Sequence, residues 1–348
     1  MGSSASGIEA GASPLVWIVV LNWNGWRHTL ECLESLFRLA YPRYRVVVVD
    51  NASEDDSVAR IRDWAEGRLE APLPEPAEPR ALVAPPVPKP IPYHELDRPG
   101  AGEGGAAIPP EARLILLQSG ANLGFAGGCN LGLRLALANP EVEYVWLLNN
   151  DTVVRPEALD GLVRTMRADP GIGICGSTIL FYHRPDTIQA LGGGRYNPWI
   201  GFASSVGEHA RVKEASGPTP PIEYVNGASM CVSRPFLETV GLMTEEFFLY
   251  FEELDWACRA KGRFRLGHAP GSIVYHKEGA TIGTSGKAGQ RSSLSDYYML
   301  RNRFRINRKY FPLALVTLYL WVPVMLLNRA LRGQWDRLGS VVKAALWR

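Results

Sequence analysis

The sequence predicts an α/β fold: a mostly parallel central sheet flanked by helices, followed by a C-terminal helical extension. Three observations predict it. Apolar runs are too continuous for half-exposed strands, helically spaced apolar residues lie between them, and each run ends on polar residues. With 348 residues and 46% hydrophobic content, the chain buries a substantial core. A formal charge of +2 gives no overall pull toward nucleic acid, so none is expected as a partner. Cys32, Cys129, Cys175, Cys231 and Cys258 lack the close pairs of zinc or redox motifs and read as reduced thiols in a cytoplasmic compartment.

Residues 1–13 have neither the basic start nor the apolar centre of a signal peptide and read as a flexible leader. "LVWIVVLNWNG" (15–25) is a buried strand closing on a loop, and Leu30, Leu33, Leu36 and Phe37 then recur at helical spacing until Pro42. "YRVVVVDNASEDDSVARIRDWA" repeats the scheme with a helix capped by Ser53 or Asp55. Residues 66–112, dense in Pro and Gly, read as an inserted surface loop unsuited to regular helix or central strand, with "PYHELDR" its one distinctive piece. The sheet pattern resumes in "RLILLQSGANLGFAGGCNLGLRLALA" and again in "EYVWLLNNDTVVRPEALDGL". Residues 172–233 read as an irregular second half of the sheet, and "FFLYFEELDWACRAKG" as a short acidic helix behind an apolar lead.

In open parallel sheets, ligands bind beyond the carboxyl ends of the strands. Here those ends carry Asn22 and Asn24, Asp50 and Asn51, Gln118 through Asn122, and Asn149 to Asp151, which would share one polar crevice. A dinucleotide site would need G-x-G-x-x-G after the first strand, and "LNWNGW" does not supply it.

Seven motifs in register, "VVLNWNGW", "VVVDNASEDDS", "NLGFAGGCNLGL", "LLNNDTVV", "VNGASMCVSR", "FFLYFEELDWACR" and "VYHKEGATIG", resemble glycosyltransferase family 2, especially its rhamnosyltransferase-like and galactofuranosyltransferase-like branch. The resemblance spans residues 14–310. It implies a Rossmann-like GT-A fold and inverting transfer of a sugar from a nucleotide diphosphate donor, with dTDP-rhamnose the first expectation and UDP-galactofuranose or a UDP-hexose the alternative. It also implies that Asp50 reads the nucleobase and that Asn122, Gly127, Asn130 and Asn150 approach the ribose and diphosphate. Asn226 and Gly227 then line the donor pocket, and the acceptor is a glycan or a lipid-linked saccharide in cell-surface polysaccharide synthesis. A catalytically idle, membrane-associated sugar-nucleotide-binding protein and a nucleotidyltransferase are the readings from other classes.

Inverting displacement needs a base for the acceptor proton and a stabiliser of the leaving group. Against a diphosphate, Mg²⁺ or Mn²⁺ serves as that stabiliser and takes oxygen ligands. Asn149 and Asp151 can point to one side of the chain, with Asp151 the charged ligand; the competing reading is a plain turn before Pro156. By resemblance His276 is a further ligand, Glu253 is the base, and Glu252 touches acceptor or support groups. Asp255 is set to pair with Arg259 one turn on, and the competing reading makes all three acids a solvated helix face. Trp199 or Tyr196, in "GGGRYNPWIG", either stacks on a sugar or belongs to the core. Finally, Arg301, Arg303, Arg305, Arg308 and Lys309 precede an apolar run from Phe311 to Leu327, broken by Pro312 and Pro323. That suits a helix lying on the inner face of the cell membrane, or one packed on the domain or on a second copy.

Overall fold

The computed structural model describes residues 13–97, 108–214, 218–278 and 292–346. The expected leader lies outside these apart from Ser13, as does the "GATIG" end of the His276 motif. The winding units form as the sequence patterning predicts: β1 (Leu15–Asn22), α1 (Trp26–Leu36), β2 (Tyr44–Asp50) and α2 (Ser57–Ala65) open the chain. After the insertion come β4 (Leu114–Gln118), α4 (Gly124–Leu137), β5 (Val142–Asn149), β6 (Thr152–Val154) and α5 (Ala158–Ala168). Neither expected residue caps α2 through its N-cap position, which Asp56 occupies; Ser53 turns to Asp50, while Asp55 accepts from the Ser57 amide at 3.0 Å.

Among the described residues, one ten-stranded sheet runs β3 (Tyr93–Asp97)-β4-β2-β1-β5-β12 (Ser229–Ser233)-β7 (Ile172–Phe181)-β13 (Arg265–His276)-β6, with β8 (Arg184–Leu191) paired antiparallel to residues 178–181 of β7, past the stretch that β12 takes. The five strands from β3 to β5 are parallel, and β12 (Ser229–Ser233) runs antiparallel to both β5 and β7. β13 (Arg265–His276) pairs parallel with β7 and antiparallel with β6, which brings His276 opposite Thr152. Because β1, β2, β4 and β5 are buried on both sides along most of their length, alternate residues feed two cores. Ile18, Val20, Val46 and Val48 meet α1, α2 and α5; Trp17, Val19, Val47 and Val49 meet α4 and the helices that follow β12. The glycines of α4 serve this packing: a Cβ on Gly132 would lie 2.5 Å from Val19 Cγ1, and one on Gly128 2.3 Å from Leu21 Cδ1.

The insertion is not all loop. It supplies α3 (Ala77–Val83) and an edge strand, β3 (Tyr93–Asp97), paired in parallel with β4. Pro76 lies at the helix N-cap, Pro79 in the first helical turn and Pro92 just before the strand, where no ladder hydrogen bond is lost. The buried Glu34 carboxylate of α1 holds the segment, accepting from Trp64 Nε1, Val87 N and Lys89 Nζ at 2.8 to 2.9 Å. Pro/Gly density signalled broken structure, but the alternation in "YHELD" was the strand's own signal.

A smaller sheet, β10-β9-β11, joins β9 (Gly193–Asn197), β10 (Phe202–Ser205) and β11 (Tyr224–Val225). α6 (Arg234–Val240) and α7 (Glu252–Ala260) follow β12. The chain then leaves the sheet through α8 (Ser293–Tyr310), α9 (Leu315–Leu331) and α10 (Leu338–Leu346).

Candidate active site

Register aligns the strand ends. Asn22 pairs with Asp50, Asp50 with Gln118, and Leu21 with Asn149, so the predicted polar ends share one edge of the sheet. Asn22, fully buried, donates to Asp50 Oδ1 at 2.8 Å and accepts from Thr29 Oγ1 at 2.7 Å. Ser53 fixes Asp50 from the other side through its amide (3.0 Å) and hydroxyl (2.6 Å). Asn51 links this end to the glycine loop, donating to Asn122 Oδ1 and Gly124 O at 3.1 Å and accepting from Leu123 N at 3.0 Å. Asn122 itself is exposed at the crevice.

Four residues expected at the nucleotide or its crevice turn into the fold in this geometry. Asn130 is buried and ties α4 to the loop before α7: it donates to Met243 O and Glu245 Oε1 and accepts from Met243 N. Asn150, also buried, faces inward to Thr29 Oγ1 at 3.1 Å. Asn22 is committed to Asp50 and Thr29, and Gly127 is an interior glycine whose Cβ would sit 2.7 Å from Leu123 Cβ. These residues shape the crevice from within the fold.

Asn149 and Asp151 do point to one side, opposite to Asn150. His276 Nε2 lies 3.2 Å from Asp151 Oδ1 and 3.5 Å from the Asn149 amide, while its Nδ1 meets Gln189 Oε1 at 2.9 Å. With Gln189 accepting from Nδ1–H, the Nε2 lone pair faces a carboxylate oxygen, an arrangement that calls for a positive charge between them. A proton is one such charge: burial disfavours a charged His276, but Asp151 beside it outweighs this and raises its pKa. A divalent cation is the other, and a carboxylate, an imidazole and an amide oxygen suit Mn²⁺ or Mg²⁺. Among the described residues no three His, Cys, Asp or Glu side chains converge, so Asn149 is the neutral third member here. A cluster that the sequence reading missed adjoins this group. Lys277, whose amide donates to Asp151 O at 3.0 Å, extends its Nζ to Glu31 Oε2 (2.7 Å) and His28 Nδ1 (2.9 Å). Its one available signal was a cation directly after His276.

The acidic helix α7 is not a solvated face. Glu252 is 2% exposed and Asp255 fully buried. Burial pushes the half-buried Glu253 carboxyl up to about 7. Glu252 goes well above the usual range, first through burial and then through Glu253, and its Oε2 has no hydrogen-bond partner among the described residues. That depth sets Glu252 apart from the half-buried Glu253. Asp255 does pair with Arg259 at 3.0 Å, as its spacing predicted. It also accepts from Lys309, Tyr310 and Thr244 at 2.6 to 2.8 Å.

One turn bridges Glu253 and the paired Asp151 and His276. A Cβ on Gly227 would lie 2.2 Å from Glu253 Oε1, and the neighbouring Ala228 O accepts from Asn149 N at 3.1 Å. Asn226 shapes the turn, its Oδ1 accepting from Ala228 N at 3.0 Å. The hairpin residues separate: Tyr196 is core, edge-on to Phe251 and bonded by Asn307. Trp199, 53% exposed, sits at the hairpin tip where its carbonyl accepts from Thr317 of α9, so it belongs to the apolar exterior.

Residues 17–73 and 107–199 match the family model described as glycosyl transferase family 2. Those segments make up under half of the chain, and its fold is similar to that of the GT-A enzymes, with a mixed, mostly parallel sheet and C-terminal helices. Over 198 residues it is 26% identical to the low-salt glycan biosynthesis hexosyltransferase Agl10 of Haloferax volcanii, covering 56% of this chain and 60% of that one. The chain thus spans under two thirds of that relative's length. The mannosyltransferase PcManGT from Pyrobaculum calidifontis, solved with GDP-Man and Mn²⁺, aligns at TM-score 0.53 and 16% identity, covering 97% of this chain and 88% of that one. GalNAc-T7 with UDP, GalNAc and Mn²⁺ aligns at 0.53 and 14% identity, covering 85% and 48%. None of these names speaks of rhamnose, so the rhamnosyl expectation gains no support here.

Proposed function

We propose that the protein is an inverting, divalent-metal-dependent glycosyltransferase that moves a hexose from a nucleoside diphosphate donor to a hydroxyl of a glycan or lipid-linked saccharide. The observation that carries this reading is the turn at 226–228, which seats Glu253 on one side and bonds the Asn149 strand end on the other. In this reading the Asp50 end of the crevice receives the nucleoside. Asp151, His276 and Asn149 would hold the cation, which when bound neutralises charge developing on the diphosphate. Glu253 accepts the proton of the attacking hydroxyl, and attack opposite the leaving group inverts the anomeric centre. The relative is named for hexosyl transfer, a class that takes in UDP-hexoses and the 6-deoxyhexose rhamnose alike, so the donor is read as a hexose in general, and nothing in that name singles out rhamnose.

Thermal shift with GDP-mannose, UDP-glucose, UDP-galactofuranose and dTDP-rhamnose, each with and without Mn²⁺, tests the reading. A ligand at 100 times its Kd adds about 2.7 kcal/mol of apparent stability. One hexose donor is expected to stabilise only with Mn²⁺, and Asp151→Asn to abolish that increment. Flat responses throughout would sink the proposal, and a response to dTDP-rhamnose alone would restore the rhamnosyl donor.

The acceptor side reaches the inner face of the cell membrane in this reading. Pro312–Leu331 is long and apolar enough to cross a membrane by length and composition, with mean hydropathy 1.6 and only 11% of it buried. Leu313, Leu320, Leu327 and Leu331 are exposed, and the hairpin tip adds Trp199, Ile200 and Phe202 beside Thr317. The basic run before it contributes less than expected. Arg301 and Arg305 turn to the Glu246 carbonyl and Lys309 to Asp255. A peripheral, mainly apolar contact follows. Leu320→Glu with Leu327→Glu is expected to cut the fraction floating with phosphatidylcholine/phosphatidylglycerol vesicles at least tenfold. Unchanged flotation would remove the contact.

A further inference from the structure

The segment that aims Glu253 is conformationally unfavourable by itself. Phe248, Tyr250 and Phe251 have φ of 63°, 69° and 72°, in the left-handed region that side-chain-bearing residues avoid. The chain passes straight from Phe251 into the first turn of α7, so the path of this segment sets where Glu253 points. The surroundings must therefore over-determine it. On the sheet side the glycine loop does so: Phe125 N donates to Phe248 O at 2.6 Å, and a Cβ on Gly124 would lie 2.4 Å from that oxygen.

The other side is α8. Asn302, fully buried, places Nδ2 at 2.8 Å from Phe247 O, 2.7 Å from Leu249 O and 3.0 Å from Tyr250 O. Its Oδ1 accepts from Arg301 Nε at 3.0 Å, and Arg301 donates onward to Glu246 O and Phe247 O. Tyr250 is tethered by its hydroxyl to Ser295 at 2.7 Å, and the Phe248 ring stacks on Tyr298 at 4.8 Å. Three carbonyls converging on one amide nitrogen are more than helix packing needs, and each belongs to the strained segment. We propose that Asn302 is a positioning residue, whose amide clamps the 247–250 carbonyls so that Glu253 is held over Gly227. This rests on reading Glu253 as the base. A Glu253 freed from the clamp moves toward water, which lowers its proton affinity.

Carboxyl titration by ¹³C NMR on Glu-labelled protein tests the clamp without any donor. Glu253→Gln identifies the Glu253 signal. In Asn302→Leu, which keeps the volume and removes the donor, the Glu253 midpoint is expected to fall by at least one pH unit, with faster amide exchange over 247–252. Asn302→Asp, which turns a carboxylate on the three carbonyls, gives a second reading if the first variant does not fold. An unmoved midpoint with unchanged exchange would overturn the clamp. If turnover is lost in Glu253→Gln while that midpoint stays fixed, the base stands and Asn302 alone is wrong. Full turnover in Glu253→Gln removes the base reading and this inference together.

Discussion

Glu253→Gln is expected to lower kcat by two to four orders of magnitude, the range over which a positioned general base acts, while making the protein more stable at pH 8. Both effects come from one cause, a carboxyl placed where its charged form is poorly solvated. Burial raises the Glu253 pKa to about 7, against 4.5 for the ordinary group. The raised affinity suits a base that must accept a proton near neutral pH, so wild-type turnover rises with pH through about 7. The linkage has the opposite sign for stability. A carboxyl whose folded pKa is raised favours folding below its unfolded pKa, and that contribution is lost as pH rises through the folded value. Above pH 7 the native state bears the burial of the charge, at most about 3 kcal/mol, and less because Glu253 is partly exposed. Urea midpoints at pH 5 and pH 8 check it: the variant should gain at pH 8 and match wild type at pH 5. Since Glu252 titrates beside it, the pH profile belongs to the pair. Equal gains at both pH values, or unchanged turnover, would count against a buried base.

The strand ends were legible because continuous apolar runs fix both strand type and direction, and the residue after each run then falls at the same edge. Asn149 and Asp151 were legible for a similar reason: alternation alone turns them one way and Asn150 the other. Their convergence with His276, 127 residues or fewer away in sequence, depends on β13 pairing with β6, which composition does not reveal; resemblance supplied only the expectation that His276 joins them. Sequence is silent on whether a polar side chain near a ligand loop faces the ligand or the fold. Asn130 and Asn150 face the fold, and Asn302, which no motif singled out, holds the loop before Glu253. Gln189 and Lys277 were missed because their partners come from remote strands and helices. The insertion misled through composition: proline density lowers the odds of a central strand and says little about an edge.

Asp255→Asn is expected to destabilise the protein by about 3 kcal/mol at pH 7, the low end for removing one partner of a buried ionic group. The low end applies because Lys309 is 44% exposed and can rehydrate, whereas Arg259 is 23% exposed. In wild type, burial works to raise the Asp255 pKa, but Lys309, Thr244 and Tyr310 bonding to the carboxylate overcomes it, and the net shift is downward. The sign is then the reverse of Glu253: stability is present above the unfolded pKa and lost as pH falls through the folded one. Denaturation midpoints at pH 7 and in acid should show the variant's deficit shrinking as wild type protonates. A deficit constant with pH would mean that packing, not charge, carries the effect. Two residues apart on one helix, Glu253 destabilises the charged protein and Asp255 stabilises it. That opposition has a physical basis, since Asp255 is surrounded by donors and Glu253, among the described residues, by none that neutralise it. A helix carrying an unneutralised buried carboxylate needs an anchor elsewhere, and Asp255 fixes α7 to the end of α8, the helix that also bears Asn302.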